Sequence, residues 1–257
     1  FQPRRTPNAN ALSAAFDMNH WPDATDQELS EALAPRCIID QLVVFDVGQG
    51  SASALVCPCG LPIFYYDVGC GVYRNAKTSP AQIGFCDCDK PPIILSHWDS
   101  DHWAGAAKDT AIQSLRWIAP RQSIGPKHVT FANSILKSGG TILIVPTSKT
   151  HLSSGTLQLL DLRRCLGQPT DRNGSGLALV VEDRKSGRGW LLTGDAAYDL
   201  IPGPIPADLA AVIVPHHGAD MGSTSIPPSR SAHPYSRLLY SFGPGNAHGR
   251  SRVRHPT

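Results

Sequence analysis

Pro91-Pro92-Ile93-Ile94-Leu95-Ser96-His97-Trp98-Asp99-Ser100-Asp101-His102 decides how the rest of the chain is read. Ile93-Ile94-Leu95 is a short apolar run of the kind that folds as a buried strand. The second half holds four metal-preferring side chains within six residues. Side chains alternate faces along an extended segment, so His97, Asp99 and Asp101 are expected to point the same way. His102 follows as the chain turns toward Ala104-Gly105-Ala106-Ala107, an expected helix start. Imidazoles and carboxylates converging at a strand end suit one divalent cation, or two sharing a site. A solvated polar loop that happens to hold two histidines is the plainer reading of the same residues.

Outward from this stretch the chain alternates short apolar runs with turn residues. Leu42 to Val47 reads as a strand ending at Gly48-Gln49-Gly50, where glycine permits a tight turn. Ser53 to Val56 and Pro62 to Asp67 continue a meander, and Ile93 to Ser96 is the strand that carries the cluster. Leu115 to Ile118 and Thr141 to Val145 are further strands, with a helix expected over Val129 to Lys137. In the second half, Thr156 to Leu162, Leu177 to Val181, Trp190 to Leu192, Ala210 to Val214 and Leu238 to Phe242 read as strands. Short strands first, then strands mixed with helices in both halves, predict an α/β (α+β) fold with sheets sandwiched between helices. Residues 1–37 read as an N-terminal extension, with a short helix over Asp26 to Leu33, and residues 38–257 as one domain.

The chain has 257 residues and a formal net charge of +2, which argues against a strong global field for a polyanion. Its last stretch differs, since Arg250, Arg252 and Arg254 lie near His248 and His255; such a tail meets phosphates or stays solvated. No apolar run approaches the length of a membrane span. Phe1-Gln2-Pro3-Arg4-Arg5 begins without Met and without a signal-like apolar core behind it, which reads as a fragment and leaves the compartment open. Among seven cysteines, Cys57-Pro58-Cys59 and Cys86-Asp87-Cys88 form close pairs, with Cys70 between them. Four thiolates from the two pairs can hold a structural zinc, although C-x-C is tighter than the usual C-x2-C spacing. Disulfides in an oxidising compartment and plain unpaired thiols are the competing readings.

Two further motifs follow apolar strands. Trp190-Leu191-Leu192-Thr193-Gly194-Asp195 places a carboxylate after a glycine, where its two oxygens can each take one metal. Ala211-Val212-Ile213-Val214-Pro215-His216-His217-Gly218 places adjacent imidazoles at another strand end. Thr-Gly-Asp alone is often only a capped turn; the three motifs in this order are far more specific than any one.

His97-x-Asp99-x-Asp101-His102, Thr193-Gly194-Asp195 and Pro215-His216-His217-Gly218 resemble the metal motifs of the metallo-β-lactamase superfamily. Within it the chain is most similar to the nuclease domain of ComEC-type DNA-uptake proteins and their stand-alone relatives. Asp46-Val47-Gly48-Gln49-Gly50 is similar to that branch's opening motif, and Asp67-Val68-Gly69 to its next. Ser241-Phe242-Gly243, Asn246 and His255-Pro256 resemble its closing segment, so the likeness runs from about residue 40 to 257.

The resemblance implies a four-layer αβ/βα sandwich with a dinuclear site for two divalent ions, Zn or Mn, with Mg an alternative. His97 and Asp99 would hold one ion, Asp101 and His102 the other, and Asp195 would bridge them. One of His216 and His217 would complete a coordination sphere while its neighbour meets a substrate phosphoryl oxygen. Asp101 would orient the nucleophile when not fully engaged with metal. Asp46 and Asp67 read as carboxylates capping backbone amides beside the site. The chain departs from the commoner motif by having Asp99 where a histidine is usual, which hardens the site and favours Mn or Mg more. It also lacks a clear histidine between the cluster and Thr193; Asn173, before Gly174-Ser175-Gly176, and His151 are the local alternatives. The closing segment is longer than the family's, with Arg250 to Arg254 before His255.

These features predict a metal-dependent phosphodiesterase, a nuclease with DNA as its partner and substrate. Hydrolysis of a small phosphodiester or lactone is the alternative, and a non-catalytic metal-binding domain a third reading.

Overall fold

The computed structural model describes Met18 and residues 20–156, 158–206, 208–221 and 237–248. The opening residues Phe1 to Arg5 and the tail carrying Arg250, Arg252, Arg254, His255 and Pro256 lie outside the described residues.

The first half forms a six-stranded sheet in sequence order. Strands β1 (Gln41–Val44), β2 (Ala52–Val56) and β3 (Pro62–Val68) make the antiparallel meander. Strands β4 (Ile93–Ile94), β5 (Arg116–Pro120) and β6 (Thr141–Val145) then add in parallel. The second half builds its own six-stranded sheet on the same plan. Here β7 (His151–Ser154), β8 (Gln158–Arg164), β9 (Leu177–Asp183) and β10 (Arg188–Leu192) run antiparallel. Strands β11 (Asp208–Ile213) and β12 (Arg237–Leu239) are parallel to β10.

Alternation along the strands explains the layering. Leu55, Phe64, Ile94 and Ile118 from the first sheet meet Leu160, Leu162, Leu179, Leu192 and Ile213 from the second in a central core. The opposite face of the first sheet packs Trp117 and Ile93 against Trp98, Ala106, Phe131 and Ile135. Those residues bring in helices α2 (Gly105–Lys108) and α3 (Pro126–Lys137). On the far face of the second sheet, Ala178, Val180, Leu191 and Val212 are covered by Leu200, Ile201 and Ile205. The result is the four-layer αβ/βα sandwich, with a thin outer layer over the second sheet among the described residues.

Helix α1 (Asp26–Ala32) begins with a capping box: Thr25 accepts from the Glu28 amide, and the Glu28 carboxylate accepts from the Thr25 amide at 2.7 Å. Its Leu29 and Ala32, with Leu33, enter the central core, so this part of the N-terminal segment packs on the sandwich.

Element boundaries differ from expectation where local pattern and pairing compete. The first strand ends at Val44, because pairing with β2 begins beyond the Gly48–Gly50 turn. The strand expected over Thr156 to Leu162 is instead β8, starting at Gln158 and preceded by β7, an edge strand with little apolar character. Leu157 lies outside the described residues. The helix α3 starts at Pro126, three residues before the expected Val129, since proline suits a first helical position.

Candidate metal centre

The candidate residues gather at the carboxyl ends of β3, β4, β10 and β11, where segments of both sheets converge. A bulge in β3 starts the arrangement: Ala52 pairs with Val68 and Ser53 with Tyr66, leaving Asp67 as the extra residue. Asp67 has φ 56°, a left-handed conformation that costs a non-glycine residue roughly 1–2 kcal/mol. Its Oδ1 accepts from the Ser96 amide at 2.7 Å, and its Oδ2 accepts from Ser96 Oγ at 2.8 Å and His102 Nδ1 at 2.7 Å. Asp67 therefore caps a backbone amide, as expected, and also orients an imidazole. Among the described residues Asp46 makes only a long contact, accepting from the Gly48 amide at 3.4 Å.

These contacts fix the tautomers. The Asp67 carboxylate takes the hydrogen of His102 Nδ1, so in the neutral ring His102 Nε2 carries the lone pair. Ser96 Oγ gives its hydrogen to Asp67 and can accept from His97 Nδ1, 3.0 Å away. The Ser241 carbonyl can only accept, so His217 Nδ1, at 2.8 Å, must donate to it. Each of these imidazoles then turns Nε2 toward a carboxylate: His102 lies 3.1 Å from Asp195 Oδ1, His97 3.6 Å from Asp195 Oδ2, and His217 3.3 Å from Asp101 Oδ2. Lone pairs facing carboxylates repel unless a proton or a metal cation stands between them. The Nε2 atoms of His97 and His102 and Oδ1 of Asp195 are buried and make no hydrogen bond. Leaving such buried atoms unmatched costs about 1–3 kcal/mol each. This donor set fits a divalent metal ion.

Two overlapping groups can each hold an ion: His97, His102 and Asp195, and Asp101, His102 and His217. His102 belongs to both, but with Nδ1 on Asp67 its one remaining nitrogen can serve only one ion at a time. Asp195 spans the halves, with Oδ2 near His97 and His216 (3.6 and 3.7 Å) and Oδ1 near His102 and His217 (3.1 and 3.9 Å). Electrostatics follow the same geometry. Burial pushes the His97 pKa down, and the neighbouring His102 adds to this. Burial acts the same way on His102, but Asp195 and Asp67 outweigh it and raise its pKa well above the usual value. His217 is likewise raised by Asp195 and Asp101 against the effect of burial. Burial opposes charge on Asp195, yet His102, His217 and His97 hold its carboxyl well below the ordinary range.

Asp101 does not arrive by simple alternation from Asp99. The chain turns into a 3-10 helix over Ser100–His102, which swings Asp101 toward His217 while His102 reaches Asp67. That turn sits directly on Gly69. A Cβ at Gly69 would lie 1.6 Å from the Asp101 carbonyl oxygen, which gives a physical reason for the glycine of Asp67-Val68-Gly69. Gly194 has φ 58°, and a Cβ there would lie 2.6 Å from that of Ser96.

His216 and His217 also occupy the left-handed region, at φ 49° and 56°. Strain of this kind persists where surrounding structure imposes it, and clusters at functional sites. His217 is 3% exposed, whereas the His216 side chain is 28% exposed and opens to the mouth.

Asp99 is set apart. Its Oδ1 accepts from Arg172 Nε at 2.5 Å, and its Oδ2 lies 3.8 Å from His97 Nε2. Arg172 was not legible as a site residue: the neighbouring Asn173 drew the reading, and an arginine is no metal ligand. The loop that carries it is tied to the cluster: Gln122 Nε2 donates to the Arg172 carbonyl at 2.7 Å and to Ser175 Oγ at 2.9 Å, while Gln122 Oε1 accepts from the Trp98 amide at 3.2 Å. His151 stands on β7 beside Asp161 at 3.7 Å, outside both groups.

Cys57 and Cys59 form a disulfide, so the four-thiolate zinc read from the two cysteine pairs does not form; two of its donors are already bonded. Cys86 and Cys88 are free thiols. A cleft of about 710 Å³ lies by Gln41, Arg188, Ala211 and Arg237 near the strand starts, and none of the cluster lines it. No helix among the described residues is long and apolar enough to cross a membrane.

No family model and no curated protein matches the chain. Among solved structures it is similar to the short form of human tRNase Z, at 13% identity and TM-score 0.41, over 67% of this chain and 76% of that one. It is similar to Zn2+-bound PqqB from Methylobacterium extorquens, at 12% identity and TM-score 0.38, over 64% and 59% of the two chains. A Cronobacter sakazakii metallo-β-lactamase with a HARLDQ motif is similar at 19% identity and TM-score 0.37, over 72% and 69%.

Proposed function

We propose that the chain is a metal-dependent hydrolase that cleaves phosphodiester bonds of DNA. The observation that carries the metal reading is the facing of buried imidazole Nε2 atoms and carboxylate oxygens around Asp195. His97 and Asp195 would hold one divalent ion and Asp101 and His217 would offer donors to a second, with the single free nitrogen of His102 serving one of the two. Asp99 is one oxygen away from the first group, with its other oxygen on Arg172. Zn and Mn, with Mg an alternative, are the candidate ions: the imidazoles suit Zn, and the carboxylates suit Mn or Mg.

When bound, such ions lower the pKa of water to about 7 and neutralise charge on phosphoryl oxygens. The protein's own groups prepare the rest. Asp67 and the Ser241 carbonyl lock His102 and His217 with Nε2 facing inward. Asp101, whose side chain is 26% exposed, opens to the mouth and, unlike Asp99, is not bonded to Arg172. Burial disfavours its charge, but His217 and His102 hold its pKa below the ordinary range, so it stays ionised and can orient an attacking water. His217 serves as the ligand, and His216, more exposed and 3.7 Å from Asp195, reaches the substrate phosphoryl group. The DNA assignment draws on the ComEC-like motifs around Asp46, Asp67 and Ser241.

The test is cleavage of linear, circular and single-stranded DNA after chelation, with Mn, Mg or Zn added separately. An Asp101→Ala/His102→Ala protein runs beside it. Metal-dependent cleavage abolished in the variant is expected. Near-stoichiometric metal without cleavage under any ion would overturn DNA as the substrate and bring small phosphodiesters or lactones forward.

A further inference from the structure

The mouth of the cluster carries residues that the reaction chemistry does not use. Tyr73 is 69% exposed, yet its backbone sits at φ 51°, a conformation a bulky residue adopts only when held there. Its hydroxyl holds the ring in place, accepting from Lys127 Nζ at 2.5 Å and sharing a hydrogen bond with Ser100 Oγ at 3.2 Å. Ser100 lies between Asp99 and Asp101, so the ring stands at the lip of the cluster. Lys127 is exposed near the start of α3. Arg172 approaches the other side of the same segment, bonded to Asp99 through Nε alone among the described residues. Its terminal nitrogens keep the fork geometry that matches phosphate oxygens. Tyr73 with Lys127, and Arg172, are thus tied to adjacent residues of one segment, Ser100 and Asp99.

A dinuclear centre needs only the scissile phosphate. Two cations and a strained, exposed aromatic ring beside it are what a longer substrate would meet. We propose that Tyr73, Lys127 and Arg172 form a docking rim for single-stranded nucleic acid, one base stacking on the Tyr73 ring while phosphates flanking the scissile one rest on Lys127 and Arg172. This rests on the phosphodiesterase reading above and adds the form of the substrate. A base has a π face whatever its identity, so stacking on one tyrosine gives affinity with little sequence preference. Duplex DNA keeps its bases stacked on one another and denies Tyr73 a partner.

The test is fluorescence anisotropy of a labelled, phosphorothioate-linked oligothymidylate on the metal-loaded protein, over a salt series. Tyr73→Leu should weaken binding by at least about fivefold, while Tyr73→Phe, which keeps the ring, should bind more tightly than Tyr73→Leu. Lys127→Gln and Arg172→Lys are expected to weaken binding, and Lys127→Gln should also flatten the salt dependence by about 0.7 in log–log slope. Metal content measured on each variant confirms that the centre survives. Tyr73→Leu binding like the unaltered protein, an unchanged slope in Lys127→Gln, or displacement by duplex as effective as by single strand would overturn the rim. Hydrolysis of bis(p-nitrophenyl) phosphate by the unaltered protein judges the other reading separately. Absence of that hydrolysis would count against the phosphodiesterase, while the anisotropy alone decides the rim.

Discussion

Around His102 and His217, each imidazole Nδ1 is tied to an acceptor on a different element: Asp67 in the β3 bulge and the Ser241 carbonyl after β12. Around Asp99 the arrangement is looser, because the carboxylate divides itself between Arg172 at 2.5 Å and the direction of His97 at 3.8 Å. The first half of the cluster is oriented by buried contacts that leave its ligands little freedom. The second half carries a fixed positive charge where a cation would otherwise gain most from Asp99. Two ions bound here would therefore be held with unequal strength, the tighter one on the His102 and His217 side.

The experiments that break or sharpen this contrast begin with Asp195, the residue common to both halves. Asp195→Asn keeps the shape but removes the charge facing His97 and His102. Hydrolysis should fall by more than about 100-fold, and metal analysis should show both ions depleted. Retention of one full equivalent would mean the halves do not share this carboxylate.

Asp67→Asn addresses the anchored half. An amide can present its NH2 to His102 Nδ1 and reverse the tautomer, turning N–H inward. Competition with a chelating dye should show about 10–100-fold weaker metal binding. An affinity within twofold of the unaltered protein would show that Asp67 supports the backbone alone.

pH gives an intermediate effect whose sign follows from the metal-free cluster. Burial disfavours protonated His102 and His217, but their carboxylate neighbours outweigh it and raise both pKa values. Protonation there stabilises the ion-free fold at low pH, and that contribution fades as pH rises through the folded-state values. Metal must displace the same protons, so its stabilising effect grows with pH. With one proton displaced, two pH units change the metal's contribution by about 2.7 kcal/mol. The thermal shift on adding metal should then grow by roughly 5–10 °C across that interval. A shift independent of pH would place the ion away from these imidazoles.

Arg172→Ala gives the smallest effect on the centre. Freed of its guanidinium, Asp99 can turn toward His97, and the weaker ion should bind up to about tenfold more tightly, as a screened charge removed near a partly exposed carboxylate allows. Calorimetric titration would resolve the second binding event. Weaker binding in Arg172→Ala would show instead that Arg172 holds Asp99 in its ligating position.

Much of this was legible in the residues. Apolar runs ending in His97–His102, Thr193-Gly194-Asp195 and Pro215–Gly218 announced both the strands and their meeting point, because ligands at strand ends need no long-range knowledge to recognise. The alternation that placed Leu177 to Val181 and Trp190 to Leu192 in strands is likewise local. Strand β7 was missed because an edge strand has little to bury, and β4 is shorter than its apolar run suggests because pairing, not hydrophobicity, sets its length. Arg172, Tyr73 and Lys127 carried no signal at all, since each acquires its place only when its segment is packed beside Asp99 or Ser100.

The sequence by itself determined the layered α/β fold and named the candidate donors, since period, turn residues and ligand chemistry are properties of short segments. Tertiary structure decided how those donors are shared. It made His102 common to both groups, committed Asp67 to an imidazole and gave one Asp99 oxygen to Arg172. These choices depend on a bulge register, a 3-10 turn seated on a glycine and a loop from the second sheet. Each joins residues that sequence distance keeps apart, and hydrogen-bond geometry over a few ångströms is settled only once the sheets have packed.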